Sequence, residues 1–432
     1  MLEPFEKSLG KISTLCIRCK GKNLCGKPCP ILERLNVHKV EIARLKENFN
    51  ASGVSPFVGR AGYPEINIGL LSPASVSSDA WKLDAPTFWY EKSYGLEDIM
   101  DARTQLIHSR ERTSVRSETK TLEVAQEIAM AAKPPSTEFF LKKKPYVAMQ
   151  LDLTTPPIGA PAILKAVKLE ENPHVLTKVD KIVSDELKAV EAMNELYGYG
   201  IDVNQLMRIL SVGLLGLKSQ KKLVPTRWSI TATDDMLAKS MLKEIRRFDT
   251  INTFELYVNE YLGNKFYILF MPGTWTFELI ELWYGNSLWN PTAAPAVSTD
   301  YENFFGRKNY ASNCEGGYYA VRFAVAEYLS RIRRQASVLV LREVMPEYSV
   351  PVGVWECREN VRSSFSCKKR SLESKEHGAD GITIFPYKET FATLDEALKH
   401  VRMQTKKSID SLLKASNVLG AYRQQRTLRA WF

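Results

Sequence analysis

What this sequence lacks narrows it first. No apolar run approaches the roughly 18 residues that a membrane-crossing helix needs. The opening Met1-Leu-Glu-Pro-Phe-Glu-Lys has neither the basic start nor the apolar centre of a secretory signal, so a soluble cytoplasmic protein is expected. There is no phosphate-binding glycine loop followed by Lys-Ser/Thr, no His-Glu-x-x-His and no Gly-x-Ser-x-Gly elbow, which removes the best-marked classes of enzyme. Histidine is scarce, at five in 432 residues, and only His108, in the setting His-Ser-Arg, hints at more than a surface role. Neither an internal repeat nor a low-complexity tract occurs, and 44% hydrophobic content with 10% aromatics excludes a disordered chain. The length suits two or three domains.

The net charge of +10 sits at the two ends. Residues 1–40 carry +5 and residues 401–432 carry +6, leaving the middle near −1. Basic termini around a near-neutral body fit contact with nucleic-acid phosphates or an acidic protein surface. Solvated lysines and arginines on helix surfaces are the plainer alternative.

Cysteine is used in an equally uneven way. Four of the seven thiols fall within fourteen residues, as Cys16-x2-Cys19-x5-Cys25-x3-Cys29, among Gly21, Gly26, Pro28 and Pro30. Four thiolates bind Zn²⁺ as a tetrahedron at about 2.3 Å, and glycine permits the turns that bring two pairs together. The nearby Arg18, Lys20, Lys22 and Lys27 would offset the net charge of about −2 on such a centre. A structural zinc site is therefore expected, with an iron-sulfur cluster next and a disulfide third. Cys314, Cys357 and Cys367 are scattered and read as ordinary residues.

The body reads as α+β: mixed helices and antiparallel sheet, with a small N-terminal zinc-binding module and a flexible C-terminal tail. The expected division is 1–45 for the four-cysteine module, 46–392 for one α+β core, 393–416 for a C-terminal helix and 417–432 for the tail. Gly59-Arg60-Ala-Gly62-Tyr63-Pro64 is a loop in which two glycines bracket an arginine, so backbone amides and a guanidinium can approach an anion together. Val147–Leu153 reads as a strand. Helical spacing runs over 179–196 and 203–214. Leu223-Val-Pro-Thr-Arg227-Trp228 interrupts that rhythm, and Thr233, with Asp234 and Asp235 behind it, reads as the N-cap of a helix to about Phe248. Residues 253–261 and 266–271 around Gly263-Asn264 form a hairpin, with 274–283 as a third strand. Gly316-Gly-Tyr-Tyr319 opens a long helix, a strand covers 336–343, and Thr393-x-x-Glu396 is a capping box.

The chain ends on Gln425-x-x-Leu428-x-x-Trp431-Phe432. In one helical or 3₁₀ turn, Leu428, Trp431 and Phe432 share a face as a three-pronged apolar plug with Gln425 beside it, the pattern by which repair proteins dock on the sliding clamp, PCNA. Folding back onto its own domain is the plainer reading. Residues 417–424, with no clear helical pattern, read as its tether.

Together with both ends, Phe57-Val-Gly-Arg-Ala-Gly-Tyr-Pro64, Leu223-Val-Pro-Thr-Arg-Trp-Ser-Ile-Thr231, Gly316-Gly-Tyr-Tyr-Ala-Val-Arg322 and Arg334-Gln-Ala336 resemble signatures of the archaeal Nre family of DNA repair proteins, in its clamp-binding branch. The resemblance spans essentially the whole chain and implies repair of damaged DNA through the clamp. It implies no particular chemistry.

Two functions stay open at this level. In one, the protein is a repair factor that binds DNA, with Arg60, Tyr63, Arg227, Trp228, Tyr318 and Arg322 as contacts. In the other it is an enzyme acting on modified DNA or nucleotides, with Glu278, Asp300, Glu302, Arg307 and His108 as candidate catalytic residues and Mg²⁺ as a candidate cofactor. Asp300 and Glu302, two apart on an extended segment, should point to one side.

Overall fold

A computed structural model of the chain describes residues 36–38, 42, 44–145, 150–152, 155–287, 289–290, 292–366 and 386–424. They form two compact units. One is the described part of Thr14–Leu237 with Val350–Gly353; the other is Ala238–Ser349 with the described part of Val354–Phe432. The sequence suggests a single core over 46–392 because no Gly-, Pro- or charge-rich linker separates the two. The four cysteines Cys16, Cys19, Cys25 and Cys29 and the terminal Gln425, Leu428, Trp431 and Phe432 lie outside the described residues. The α+β class stands, with a mixed rather than purely antiparallel sheet in each unit.

The amino-terminal unit is built on β1 (Asn48–Ser52), β2 (Ser55–Val58), β3 (Glu65–Ser72), β4 (Ile107–Ser114), β5 (Ser136–Leu141) and β8 (Pro161–Leu169), in the order β1-β5-β8-β4-β3-β2. The short β6 (Gln150–Asp152) and β7 (Thr155–Ile158) pair apart from it. Only β4 and β8 run parallel within the large sheet. Alternation along β3 sends Ile66, Ile68 and Leu70, all at 0% exposure, to one face, where helices cover them.

Its helices are α1 (Pro86–Glu91), α2 (Leu96–Thr104), α3 (Lys120–Met130), α4 (Thr177–Ser184), α5 (Ala189–Gly198) and α6 (Val203–Ser211). Helix α3 starts where the Leu122 N–H donates to Thr119 Oγ1 at 3.1 Å, and it buries Val124, Ala125 and Ile128 on one stripe. The pattern over 179–196 resolves into α4 and α5, because Asp185 and Lys188 between them have extended backbone.

Helix α7 (Thr226–Ile245) begins seven residues before the expected cap at Thr233. Ser229, Thr233 and Asp234 are fully buried inside it, so the apolar period is masked by polar residues at interior positions.

In the carboxy-terminal unit, β9 (Phe254–Tyr261), β10 (Asn264–Met271), β11 (Thr276–Trp283), β12 (Ala296–Glu302), β13 (Ser337–Val344) and β14 (Tyr387–Phe391) form a sheet of order β12-β11-β13-β10-β9-β14. The β9–β10 hairpin is where the sequence puts it. β13 intervenes between β10 and β11, parallel to β11, which local signals do not reveal. Every residue from Phe266 to Met271 is 2% exposed or less, since helices cover both faces. On one side lie α8 (Glu315–Ile332) and α9 (Trp355–Ser364), as in the packing of Tyr318 on Phe277. On the other, α10 (Leu394–Gln404), α11 (Asp410–Ala415) and α12 (Asn417–Gln424) bury Leu398, Val401, Leu413, Val418 and Leu419 against Tyr267, Leu269, Ile280, Leu282 and Leu341.

The capping box holds: Glu396 N–H donates to Thr393 Oγ1 at 3.2 Å and Thr393 N–H to Glu396 Oε2 at 3.3 Å. The helix it opens stops at Gln404 rather than running to Ser416.

The largest correction is α12, because residues 417–424 are a packed helix and not a loose tether. Eight residues are too few to stand alone as a helix in water. Burial of Val418 and Leu419, about 1.5–3 kcal/mol each, holds this one against the sheet.

Candidate nucleic-acid interface

Two loops of the amino-terminal unit meet to make the most open cluster of cationic and aromatic side chains among the expected contacts. The first joins β2 to β3. It is pinned where the Gly59 N–H donates to Asn67 O at 2.8 Å and the Glu65 N–H to Gly62 O at 2.9 Å. Gly62 has φ +81°, and a Cβ there would lie 2.9 Å from Glu65 O and 2.4 Å from Arg112 Nη2, so a side chain is excluded on two counts. Arg112 Nη1 in turn donates to Ala61 O at 3.2 Å, which brings a β4 cation onto the loop.

The second loop, 222–225, leads into α7. Leu223 N–H donates to Val115 O and Val224 N–H to Ser211 O, both at 2.9 Å. Val58 N–H donates to Thr226 Oγ1 at 2.9 Å, tying the start of α7 to the end of β2. With both loops fixed, the Tyr63 and Trp228 rings stand 5.2 Å apart at 52°, 41% and 38% exposed. Lys222 Nζ donates to Tyr63 Oη at 3.4 Å. Arg60 lies on the first loop and Arg227 in the first turn of α7, both half-buried.

Both segments lie within a family match. The family model described as "Archaeal Nre, N-terminal" matches residues 24–290, and "Archaeal Nre, C-terminal" matches 302–383. The chain belongs to the archaeal Nre family. It is 37% identical to the DNA repair protein NreB of Archaeoglobus fulgidus over 96% of this chain and 98% of that one. The DNA repair protein NreA of the same organism is 38% identical over 84% and 91%, and NreA of Haloferax volcanii 38% over 74% and 79%. No solved structure matches.

Of the DNA contacts expected in this Nre chain, Arg60 and Tyr63 therefore fall on the β2–β3 loop, and Arg227 and Trp228 in the first turn of α7, where Trp228 meets Tyr63. Tyr318 and Arg322 do not join them; they are buried in the carboxy-terminal unit, 0% and 2% exposed. Arg112 and Lys222 are the additions that sequence reading misses. Nothing local marks either, since each reaches the loop through tertiary contacts with Ala61 and Tyr63.

The candidate catalytic residues are placed differently. Asp300 and Glu302 do share a face of β12, toward α8. Asp300 Oδ2 accepts from Asn313 N–H at 3.0 Å and Cys314 N–H at 2.8 Å, while Oδ1 pairs with Arg307 Nη2 at 2.8 Å. Glu302 Oε1 accepts from Trp275 Nε1 at 2.9 Å and Arg322 Nε at 3.0 Å. Glu278 points to the opposite side of the sheet and accepts from the start of α12. These three carboxylates are 1–4% exposed and engaged by donors of their own unit.

A further buried group lies under α8. Arg342 Nη1 donates to Glu281 Oε1 at 2.7 Å and Nη2 to Asn264 Oδ1 at 2.6 Å, with Glu356 Oε2 at 3.6 Å. Burial pushes the Glu356 carboxyl up to about 7, against the opposing pull of Arg342. A Cβ on Gly317 would come 3.1 Å from Glu281 Oε1, so the second glycine of the Gly-Gly-Tyr-Tyr signature is the residue that lets α8 close over this pair. Burial also pushes the thiols of Cys314 and Cys357 up, which makes them inert packing residues.

His108 lies inside the amino-terminal unit, its ring 5.0 Å from Phe57 and edge-on at 78°. Burial first, then Arg110 and Arg103, lowers its pKa to about 3, so it is neutral at physiological pH. Among the described residues, no group of three His, Cys, Asp or Glu side chains could hold a metal ion.

Proposed function

We propose that this protein is a DNA repair factor that binds DNA through the surface made by its β2–β3 loop and the start of α7 and is carried to damaged DNA by the sliding clamp, PCNA. The observation that carries the reading is the half-exposed Tyr63–Trp228 pair with Lys222 on Tyr63 and Arg112 on the neighbouring Ala61, in a part of the chain that also carries Arg60 and Arg227 and lies within the Nre match. Cations there would meet phosphates, and the rings would meet bases. Family membership supports the repair role, because the named relatives are DNA repair proteins. The motif Gln425, Leu428, Trp431 and Phe432 supplies recruitment, and a zinc held by Cys16, Cys19, Cys25 and Cys29 supplies a structural module at the basic N-terminus.

The test is a salt titration of DNA binding. Affinity should fall steeply between about 50 and 200 mM salt, and Arg60→Ala or Arg227→Ala should each lower the logarithmic slope by about 1. Cells relying on the Arg60→Ala, Arg227→Ala double variant should show the damage sensitivity of a deletion. Binding indifferent to salt and to both arginines would remove this surface from the proposal.

A further inference from the structure

We infer that the Tyr63–Trp228 pair selects unpaired bases, so that the DNA taken up by this surface is single-stranded or locally opened. The inference rests on the DNA-binding reading above and concerns which form of DNA that surface holds.

Three features point to it. The rings are not the sole tie between the two segments, because Val58 N–H to Thr226 Oγ1 already joins them, while Gly59 N–H to Asn67 and Leu223 N–H to Val115 hold each loop in place. Tyr63 and Trp228 nevertheless remain 41% and 38% exposed, which leaves substantial aromatic surface in water on a part of the molecule that is otherwise rigidly held. At 52° the pair is tilted rather than sandwiched, so each ring keeps π surface for a further planar group.

The form of the DNA follows from where such a group can come from. In an intact duplex the base faces are already stacked, and the groove edges are read by hydrogen-bonding side chains, not by aromatic faces. A strand with unpaired bases offers one π-face per nucleotide beside its phosphates, the combination that rings flanked by cations are suited to bind. Here the flanking cations are Lys222, whose Nζ is 3.4 Å from Tyr63 Oη, and Arg112, held on Ala61 O. Because backbone hydrogen bonds fix both loops, the rings are set before the strand arrives, and little ordering cost opposes binding.

The experiment compares three ligands by fluorescence anisotropy with the full chain at one salt concentration: a thymidine oligonucleotide, an abasic strand of equal length and charge, and a blunt duplex of the same length. The thymidine strand should bind roughly tenfold more tightly than the abasic strand, and more tightly than the duplex. Trp228→Ala and Tyr63→Ala should each reduce that preference severalfold, while Trp228→Phe, which keeps a ring, retains most of it. Circular dichroism and thermal unfolding identify any variant that has lost its fold, and the Trp228→Phe comparison stands without the alanine variants. If the duplex binds as well as the strand, or thymidine and abasic strands bind alike, the inference about unpaired bases fails although DNA binding stands. If none of the three binds, both readings fail together, and a protein partner on this surface becomes the explanation.

Discussion

Glu278 and Val418 are 140 residues apart in sequence and joined by a hydrogen bond of 3.0 Å, from the Val418 N–H to the Glu278 carboxylate. The same carboxylate accepts from the Asn417 N–H at 3.1 Å, Asn417 Nδ2 at 3.2 Å and Ser416 Oγ at 2.5 Å. A side chain from β11 thus caps the first turn of α12, putting negative charge where the helix dipole and two backbone donors favour it. Replacing Glu278 by Ala leaves those donors buried without a partner, which should cost about 3 kcal/mol. Urea unfolding should register that loss, and hydrogen exchange should show the amides of α12 losing protection ahead of the rest of the sheet. Protection unchanged at Val418 and Leu419 would mean that apolar packing alone holds the helix.

This anchoring bears on the terminal motif, since Gln425 follows the last residue of α12 directly. Changing Trp431 and Phe432 to Ala should abolish binding to the sliding clamp, at about 2 kcal/mol or more for each ring, without altering the unfolding curve. Calorimetric titration with purified clamp checks it, and an unchanged affinity would remove these residues from the interface.

How far the sequence discloses such relationships can be judged from these elements. The β9–β10 hairpin and the Thr393 capping box are legible because their signals are local: a Gly-Asn turn, and a threonine three residues before a glutamate. The partners of Glu278, Asp300 and Glu302 are not, because a lone acidic residue in an apolar strand looks the same whether it waits for a substrate or caps a distant helix. Tyr63 and Trp228 stand out as aromatics beside arginines, yet their contact depends on a β2-to-α7 bond, Val58 to Thr226, across 168 positions of chain. Helix α12 escapes notice for a further reason: with two buried apolar residues in eight, its period is too short to register.

Metal analysis of the purified chain should find one zinc per molecule, bound by Cys16, Cys19, Cys25 and Cys29. Changing Cys16 and Cys25 to Ser takes one ligand from each half of the cluster and should eliminate the metal, since two thiolates do not make a stable tetrahedral site. A brown preparation with iron absorbance would assign the cysteines to a cluster instead. Loss of zinc should leave the β9–β13 sheet and its near-ultraviolet signature intact, because that core is built from residues after Ala238.

His108 gives the fold a sensitivity to acid. Its pKa is lowered to about 3 in the folded protein, from an ordinary value near 6.5, because burial and the neighbouring Arg110 and Arg103 disfavour the imidazolium. The unfolded chain therefore binds a proton that the folded chain refuses. Stability from this residue is fully present above about pH 6.5 and declines as pH falls toward 3, by up to about 1.4 kcal/mol for each pH unit within that window. A Cβ on the facing Gly69 would lie 2.5 Å from Nε2, so the imidazole fills the space that this glycine leaves. His108→Gln removes the titrating group, whatever it does to stability at neutral pH, so the difference between the two proteins should shift in the variant's favour from pH 6.5 down to pH 4. Urea unfolding across that range measures it, and parallel pH profiles would show that the imidazole is protonated in the folded state after all.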